Sequence, residues 1–268
     1  MDNIEELLNP SLNNEQSEES NDGNEVTIPV NSPTVLLDEQ HSRFSSALWY
    51  DKIRNSNITL AGLGGIGSWT ALLLARLGPR YIYAYDDDIV EAGNMSGQLY
   101  RTNDINCSKV HSTSEIAKRF ASYHGFLCYK QRFTEDSIPG NTMICGFDNM
   151  ASRKMFYNKW KNHALLHPEN SLFIDGRLNA EELQIFCIRG NDSYHMEKYE
   201  NECLFSDEEA DQTVCSYKQT SHCASMIASL IVNLYTNFMA NKCEPLIERD
   251  VPFLTYYNAE TMYFKTES

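Results

Sequence analysis

Short apolar blocks recur along the chain, and they alternate between strand length and helical spacing. Ile58-Thr59-Leu60-Ala61 is of strand length and runs straight into Gly62-Leu63-Gly64-Gly65-Ile66-Gly67. Ser68–Leu77 then carries Trp69, Leu72, Leu73, Leu74 and Leu77, a helical pattern closed by Gly78-Pro79. Tyr81–Tyr85 reads as a second strand, stopped by Asp86-Asp87-Asp88. Strand, glycine turn, helix, strand and acid is the order of a βαβ nucleotide-binding unit.

The alternation continues. Lys109–Tyr123 predicts a helix, Met143–Phe147 a buried strand ending in Asp148-Asn149, and Ala151–His163 another helix. Leu172–Ile174 predicts a short strand that stops before Asp175-Gly176-Arg177, and Glu182–Ile188 a further strand. Residues 190–213 read as a polar, acidic loop. Ser221–Met239 predicts a long helix, with Met226, Ile227, Leu230, Ile231, Leu234 and Phe238 at helical spacing. Phe253–Phe264 predicts a final strand or hairpin. Alternating strands and helices imply an α/β fold: a Rossmann-like, doubly wound and mainly parallel sheet, extended antiparallel by the later strands.

Composition divides the chain in two. Of 268 residues, 42% are apolar and 22% charged, which suits one α/β domain. The net charge of −15 is uneven: residues 1–33 hold eight carboxylates and no Lys or Arg, leaving about −7 for the rest. That segment lacks aromatics and cannot bury enough apolar area to offset chain entropy, so a disordered acidic tail is expected over 1–33 and a folded domain over 34–268. Within the tail, Ile4–Leu8 is a short apolar patch that either docks on a partner or stays solvated. No basic stripe is present, which argues against a nucleic-acid partner. No apolar run approaches the roughly 20 residues of a membrane span, and the start of the chain does not read as a secretory leader. The eight Cys include no CxxC pair, so no structural zinc is expected, and a reduced, cytoplasmic protein is the natural expectation.

The glycine run carries the first chemical signal. Glycines let the backbone approach a phosphate closely, and a helix start aims unpaired N–H groups and a positive dipole end at the anion. Gly62, Gly64 and Gly65 are the candidates for that approach, with Gly67 allowing close helix–strand packing. Asp86 stands where an acid accepts from ribose hydroxyls. On these features alone, a nicotinamide-dependent oxidoreductase and an ATP-using enzyme are both allowed.

The next residues separate the two. Asp86, Asp88, Val90, Glu91, Asn94 and Gln98 have the spacing of D-x-D-x-V-E-x-x-N-L-x-R-Q, and the segment resembles ThiF, MoeB and HesA proteins and the adenylation domains of ubiquitin-activating enzymes. The doubled glycine Gly64-Gly65 is also that family's form of the loop. Lys109 lies where the family has a Lys on ATP phosphates. Asp148-Asn149 with Arg153 resembles the family's D-N-x-x-x-R, whose Asp helps hold Mg²⁺. Arg43 matches an Arg that the family passes across a dimer interface onto the nucleotide.

The resemblance implies an ATP- and Mg²⁺-dependent adenylyltransferase. Its substrate would be the C-terminal carboxylate of a small ubiquitin-like or sulfur-carrier protein, or of a peptide, and the enzyme would be a homodimer. It implies Arg43, Lys109 and Asp148 as catalytic residues and Asp148 as the metal ligand. The nucleotide would be held by Gly62, Gly64, Gly65, Gly67, Asp86, Asp88, Asn94, Gln98, Lys109, Asp148 and Asn149. One position departs from the pattern: the Arg of N-x-x-R-Q is Gly97 here, and Arg101, four residues on, is the candidate to reach back in its place. That departure also motivates the alternative of a non-catalytic nucleotide-binding partner in a heterodimer. Cys215, in a polar stretch before the long helix, is a candidate thioester nucleophile set against a plain packing role. Cys203, among carboxylates, suits that chemistry less, and Asp175-Gly176-Arg177 is either a contact for substrate or a turn with an ion pair.

Overall fold

In a computed structural model, the structure describes residues 39–205 and 219–268. The expected tail at 1–33 and Cys215 lie outside the described residues. Eight strands form one sheet in the order β3-β2-β1-β4-β5-β6-β7-β8. They are β1 (Asn57–Ala61), β2 (Tyr81–Tyr85), β3 (Phe126–Tyr129), β4 (Thr142–Cys145), β5 (Leu172–Asn179), β6 (Glu182–Arg189), β7 (Leu254–Asn258) and β8 (Tyr263–Glu267). The first five in space pair parallel, and β6, β7 and β8 add antiparallel. This is the expected mainly parallel sheet with an antiparallel extension.

The helices are α1 (Tyr50–Arg54), α2 (Gly65–Leu77), α3 (Lys109–Ala121), α4 (Met150–Ala164), α5 (Ser193–Lys198) and α6 (Ser221–Asn241). One core joins α2, α3 and α6 to one sheet face through residues such as Leu60, Ile82, Ile144, Ile174, Leu74 and Ile231. The other face buries Met143, Phe173 and Phe186 with Phe156, Tyr157 and Trp160 of α4 and Tyr199. Strands buried on both faces read as continuous apolar runs, which is why β1 and β4 were legible. By length and composition α6 would suffice to cross a membrane. Here it is a core helix, with Ile227, Ile231 and Tyr235 fully buried.

Three local expectations change. β5 does not stop at Ile174: it runs on through Asp175-Gly176-Arg177 and pairs residue by residue with β6, from Leu172 opposite Arg189 to Asn179 opposite Glu182. The charged residues stay in the strand because their charges are paired inside the protein. The polar stretch after Gly190 is not all loop: Asp192 caps α5 by accepting from the His195 amide at 3.1 Å, and a further helical turn spans Tyr199–Cys203. Tyr199 holds that turn down, fully buried in the aromatic core. β3 was not expected; its four residues, Phe126–Tyr129, form the sheet edge beside β2.

Candidate functional site

The carboxyl ends of β1, β2, β4 and β5 open into a cleft of about 1630 Å³. Its floor is the turn from β1 into α2. Gly62 has φ +83°, and a Cβ there would stand 2.7 Å from the backbone of Gly146 at the end of β4. That position therefore requires glycine on conformational and steric grounds. A Cβ on Gly67 would fall on the Gly62 carbonyl, so the turn can pack against the helix only without one.

Asp86 fixes the turn. Its carboxylate accepts from the Leu63 amide at 2.7 Å and from the Asp88 amide at 2.9 Å. Burial raises its pKa above the ordinary carboxylate value, against the lowering effect of those two amides and of Lys109. Asp88 is exposed and accepts an ion pair from Lys109 Nζ at 2.8 Å, while the Lys109 side chain is buried at the first position of α3. Arg132 reaches Asp87 at 2.9 Å from the far side. The acidic triplet is thus flanked by two cations.

The segment between β2 and α3 is tied to the first turns of α2. The Leu99 amide donates to Ser68 Oγ at 3.0 Å, the Trp69 indole to the Gly97 carbonyl at 3.1 Å, and the Tyr100 hydroxyl to the Leu63 carbonyl at 2.6 Å. Asn94 accepts from the Glu91 amide at 2.9 Å and so shapes the turn at Ala92–Ser96. Gln98 lies near Gly64, with its side-chain oxygen buried and without a hydrogen-bond partner among the described residues.

At the end of β4, Asp148 is exposed and Asn149 caps α4 by accepting from the Ser152 amide at 2.8 Å. Arg153 lies one turn into that helix. It is buried and donates to the Phe147 carbonyl, to the Gly176 carbonyl at 3.1 Å and to Asp175. Asp175 is fully buried and also accepts from Arg177 Nε at 2.8 Å and the Tyr199 hydroxyl at 2.9 Å. Burial alone would raise the Asp175 pKa; Arg153, Arg177 and Tyr199 outweigh it and hold it below the ordinary value. Arg177 stacks over Phe186 at 4.6 Å and lines the cleft.

Ten of the expected nucleotide contacts therefore share one cleft: Gly62, Gly64, Gly65, Asp86, Asp88, Asn94, Gln98, Lys109, Asp148 and Asn149. Gly67 is beneath it as a packing position. Two expected residues are elsewhere. Arg101 does not reach back toward Gly97; it is held by Asp104 through bonds of 2.6 and 2.9 Å, because an almost buried carboxylate three residues on is the nearer partner. Arg43 is exposed and follows His41, whose ring lies 3.2 Å from a Cβ placed on Gly78, at the opposite end of α2 from the glycine turn. It does not line the cleft of its own chain. Burial lifts the Cys203 thiol to about 11, which disfavours a thiolate there. Sequence reasoning missed Arg132 and Gln219, which both line the cleft; Arg132 pairs with Asp87 from 45 positions away, Gln219 meets Gly65 and Gly97 from far along the chain, and no local motif marks either.

A glycine turn opening a helix, an acid that fixes it and a lysine across it is an arrangement for holding a phosphate chain. The ThiF family model matches residues 37–267. The chain belongs to the ThiF family. Over 113 residues it is 28% identical to the adenylyltransferase and sulfurtransferase uba4 of Aspergillus niger, covering 39% of this chain and 23% of that protein. Over 69 residues it is 38% identical to ubiquitin-like modifier-activating enzyme 5 of Mus musculus, covering 26% of this chain and 17% of the relative. The matched stretch is thus a quarter or less of these relatives' lengths. Among solved structures, PaaA matches with a TM-score of 0.62 at 16% identity, over 87% of this chain and 69% of PaaA. E. coli MccB, crystallised with ATP, matches with a TM-score of 0.57 at 14% identity, over 82% of this chain and 66% of MccB. These likenesses establish a ThiF-type fold in this chain.

Proposed function

We propose that the cleft binds ATP with Mg²⁺ and that the protein adenylates the C-terminal carboxylate of a ubiquitin-like or sulfur-carrier protein, or of a peptide. The observation that carries this reading is the convergence of the Gly62–Gly65 turn, Lys109 and Asp148 on one cleft. Relatives named as an adenylyltransferase and as ubiquitin-like modifier-activating enzymes support it, as does a structural neighbour crystallised with ATP.

The residues fit the chemistry. In acyl adenylation a carboxylate oxygen attacks the α-phosphorus, a P–O bond forms, and the bond to the β-phosphate breaks to release pyrophosphate. Charge on the phosphate oxygens then needs fixed donors and cations more than covalent help. The amides at the start of α2 and the Lys109 ammonium supply them. Lys109 is held over the turn by Asp88, so it stands in place before nucleotide arrives. A hard divalent cation takes oxygen ligands and keeps several waters, so one exposed carboxylate is enough to anchor it. Asp148 would hold it, and the ion would screen charge on the leaving pyrophosphate. Asp86, with both oxygens already on backbone amides, keeps lone pairs for ribose hydroxyls.

Arg43 enters this reading only from a second copy of the chain, which makes the active form a dimer. Gly97, with Arg101 held by Asp104, favours one second reading: a nucleotide-binding subunit that does not turn over. Titration calorimetry with MgATP, followed by ATP–pyrophosphate exchange with candidate carriers and peptides, separates them. Binding with exchange is expected. Binding without exchange on any carrier supports the second reading, and no binding of MgATP ends both.

A further inference from the structure

Position 97 has no side chain to contact a phosphate, yet the space beside it is filled. Gln219, the first described residue before α6, lies over the glycine turn. A Cβ on Gly97 would stand 2.9 Å from Gln219 Cγ and 3.2 Å from its Nε2. A Cβ on Gly65 would fall on the Gln219 carboxamide oxygen. The Gln219 backbone is fixed there by a bridge to Ala180, just past the end of β5. One carboxamide therefore touches both the first residue of α2 and the glycine that replaces an arginine, 122 positions away in sequence.

Among the described residues, the neighbouring guanidinium groups are already paired. Arg132 pairs with Asp87, and both Arg153 and Arg177 with Asp175. Gln98 brings a second carboxamide to the same turn. Among the described residues, the space beside Gly97 is consequently filled by carboxamides, the arginines of the cleft being paired elsewhere. A carboxamide N–H donates to a phosphate oxygen without adding charge, and a hydrogen bond to a charged group is stronger than one between neutral groups.

We propose that Gln219 is a phosphate-contacting residue that takes the place of the missing side chain at position 97. The idea rests on the ATP-binding reading above and adds to it a residue and a pairing rule: Gly97 and Gln219 share one volume, so a long side chain at 97 and a glutamine at 219 exclude each other.

The test is a double-mutant cycle read by MgATP calorimetry, with thermal unfolding of each variant as the control for folding. Q219A should weaken MgATP by about tenfold, the scale of one bond to a charged acceptor. G97R alone should weaken it too, because the guanidinium stem meets Gln219. G97R/Q219A should bind within about threefold of the unsubstituted protein, the two losses failing to add. Q219E, which places a carboxylate among phosphates, should bind more weakly than Q219A. If the unsubstituted protein binds MgATP and Q219A binds equally well or more tightly, Gln219 is a bystander or an obstruction and the proposal is wrong. Additive losses in the double variant would overturn the shared-volume rule. Failure of the unsubstituted protein to bind MgATP would remove the ATP reading itself, and the proposal with it.

Discussion

Two buried charges at or beneath this cleft behave differently. Lys109 is buried but opposes an exposed partner, so its removal leaves Asp88 in solvent and little of the fold depends on the pair. Lys109→Met should therefore leave the melting temperature almost unchanged while weakening MgATP by about tenfold or more in calorimetry. Asp175 is the reverse case. It is fully buried between Arg153 and Arg177, and its loss strands two guanidinium groups. Asp175→Asn should cost about 3–5 kcal/mol in urea unfolding. The same group sets a pH dependence. Its folded pKa is lowered, so its contribution is complete above the ordinary carboxylate range and is lost as pH falls through its folded value. Stability of the unsubstituted protein should fall more steeply below about pH 4 than that of Asp175→Asn; parallel curves would remove Asp175 from the account.

At the scale of elements, the site depends on how closely β1, α2 and β4 approach one another. Gly67 meets the Gly62 carbonyl, and Gly62 meets Gly146, so three elements cross with no side chain between them. Gly67→Ala should force α2 off the turn, at a cost of about 1–3 kcal/mol in chemical unfolding, with a matching loss of nucleotide affinity. An alanine there that changes neither would mean the turn adapts freely. Asn149 shows the same coupling of element and site: by capping α4 it sets where the strand ends, and so where Asp148 stands. Arg153 reinforces this from inside the helix through its bond to the Phe147 carbonyl.

At the scale of the molecule, Arg43 is the open question that geometry turns into an experiment. It is exposed near the far end of α2 and does not line its own cleft, so a nucleotide contact by Arg43 is expected from a second copy. Arg43→Ala and Lys109→Met should each abolish pyrophosphate exchange with a working carrier. Mixing them, after subunit exchange, should restore about a quarter of the normal activity, since half the dimers are mixed and each has one intact site. Light scattering gives the mass at the same concentrations. A monomer, or no recovery on mixing, would exclude an Arg43 contact across a dimer.

The sequence by itself determined the βαβ unit, the mainly parallel sheet and most of the cleft, because these are written locally. A strand buried on both faces is a continuous apolar run, a phosphate turn needs glycines, and an acid follows the next strand at short range. Gly62 and Asp86 were legible for that reason, whereas Lys109 and Asp148 were singled out by the resemblance to the ThiF family. What only the tertiary structure decided depends on partners distant in sequence. β5 carries charge because Arg153 of α4 and Tyr199 wait to meet Asp175. Arg101 was assigned to the site by proximity in sequence, but Asp104 claims it at closer range. Gln219 reaches Gly97 across 122 positions, and no periodicity or motif encodes such a meeting. Periodicity reports which face a residue turns to the core; only the folded chain decides which side chain stands opposite.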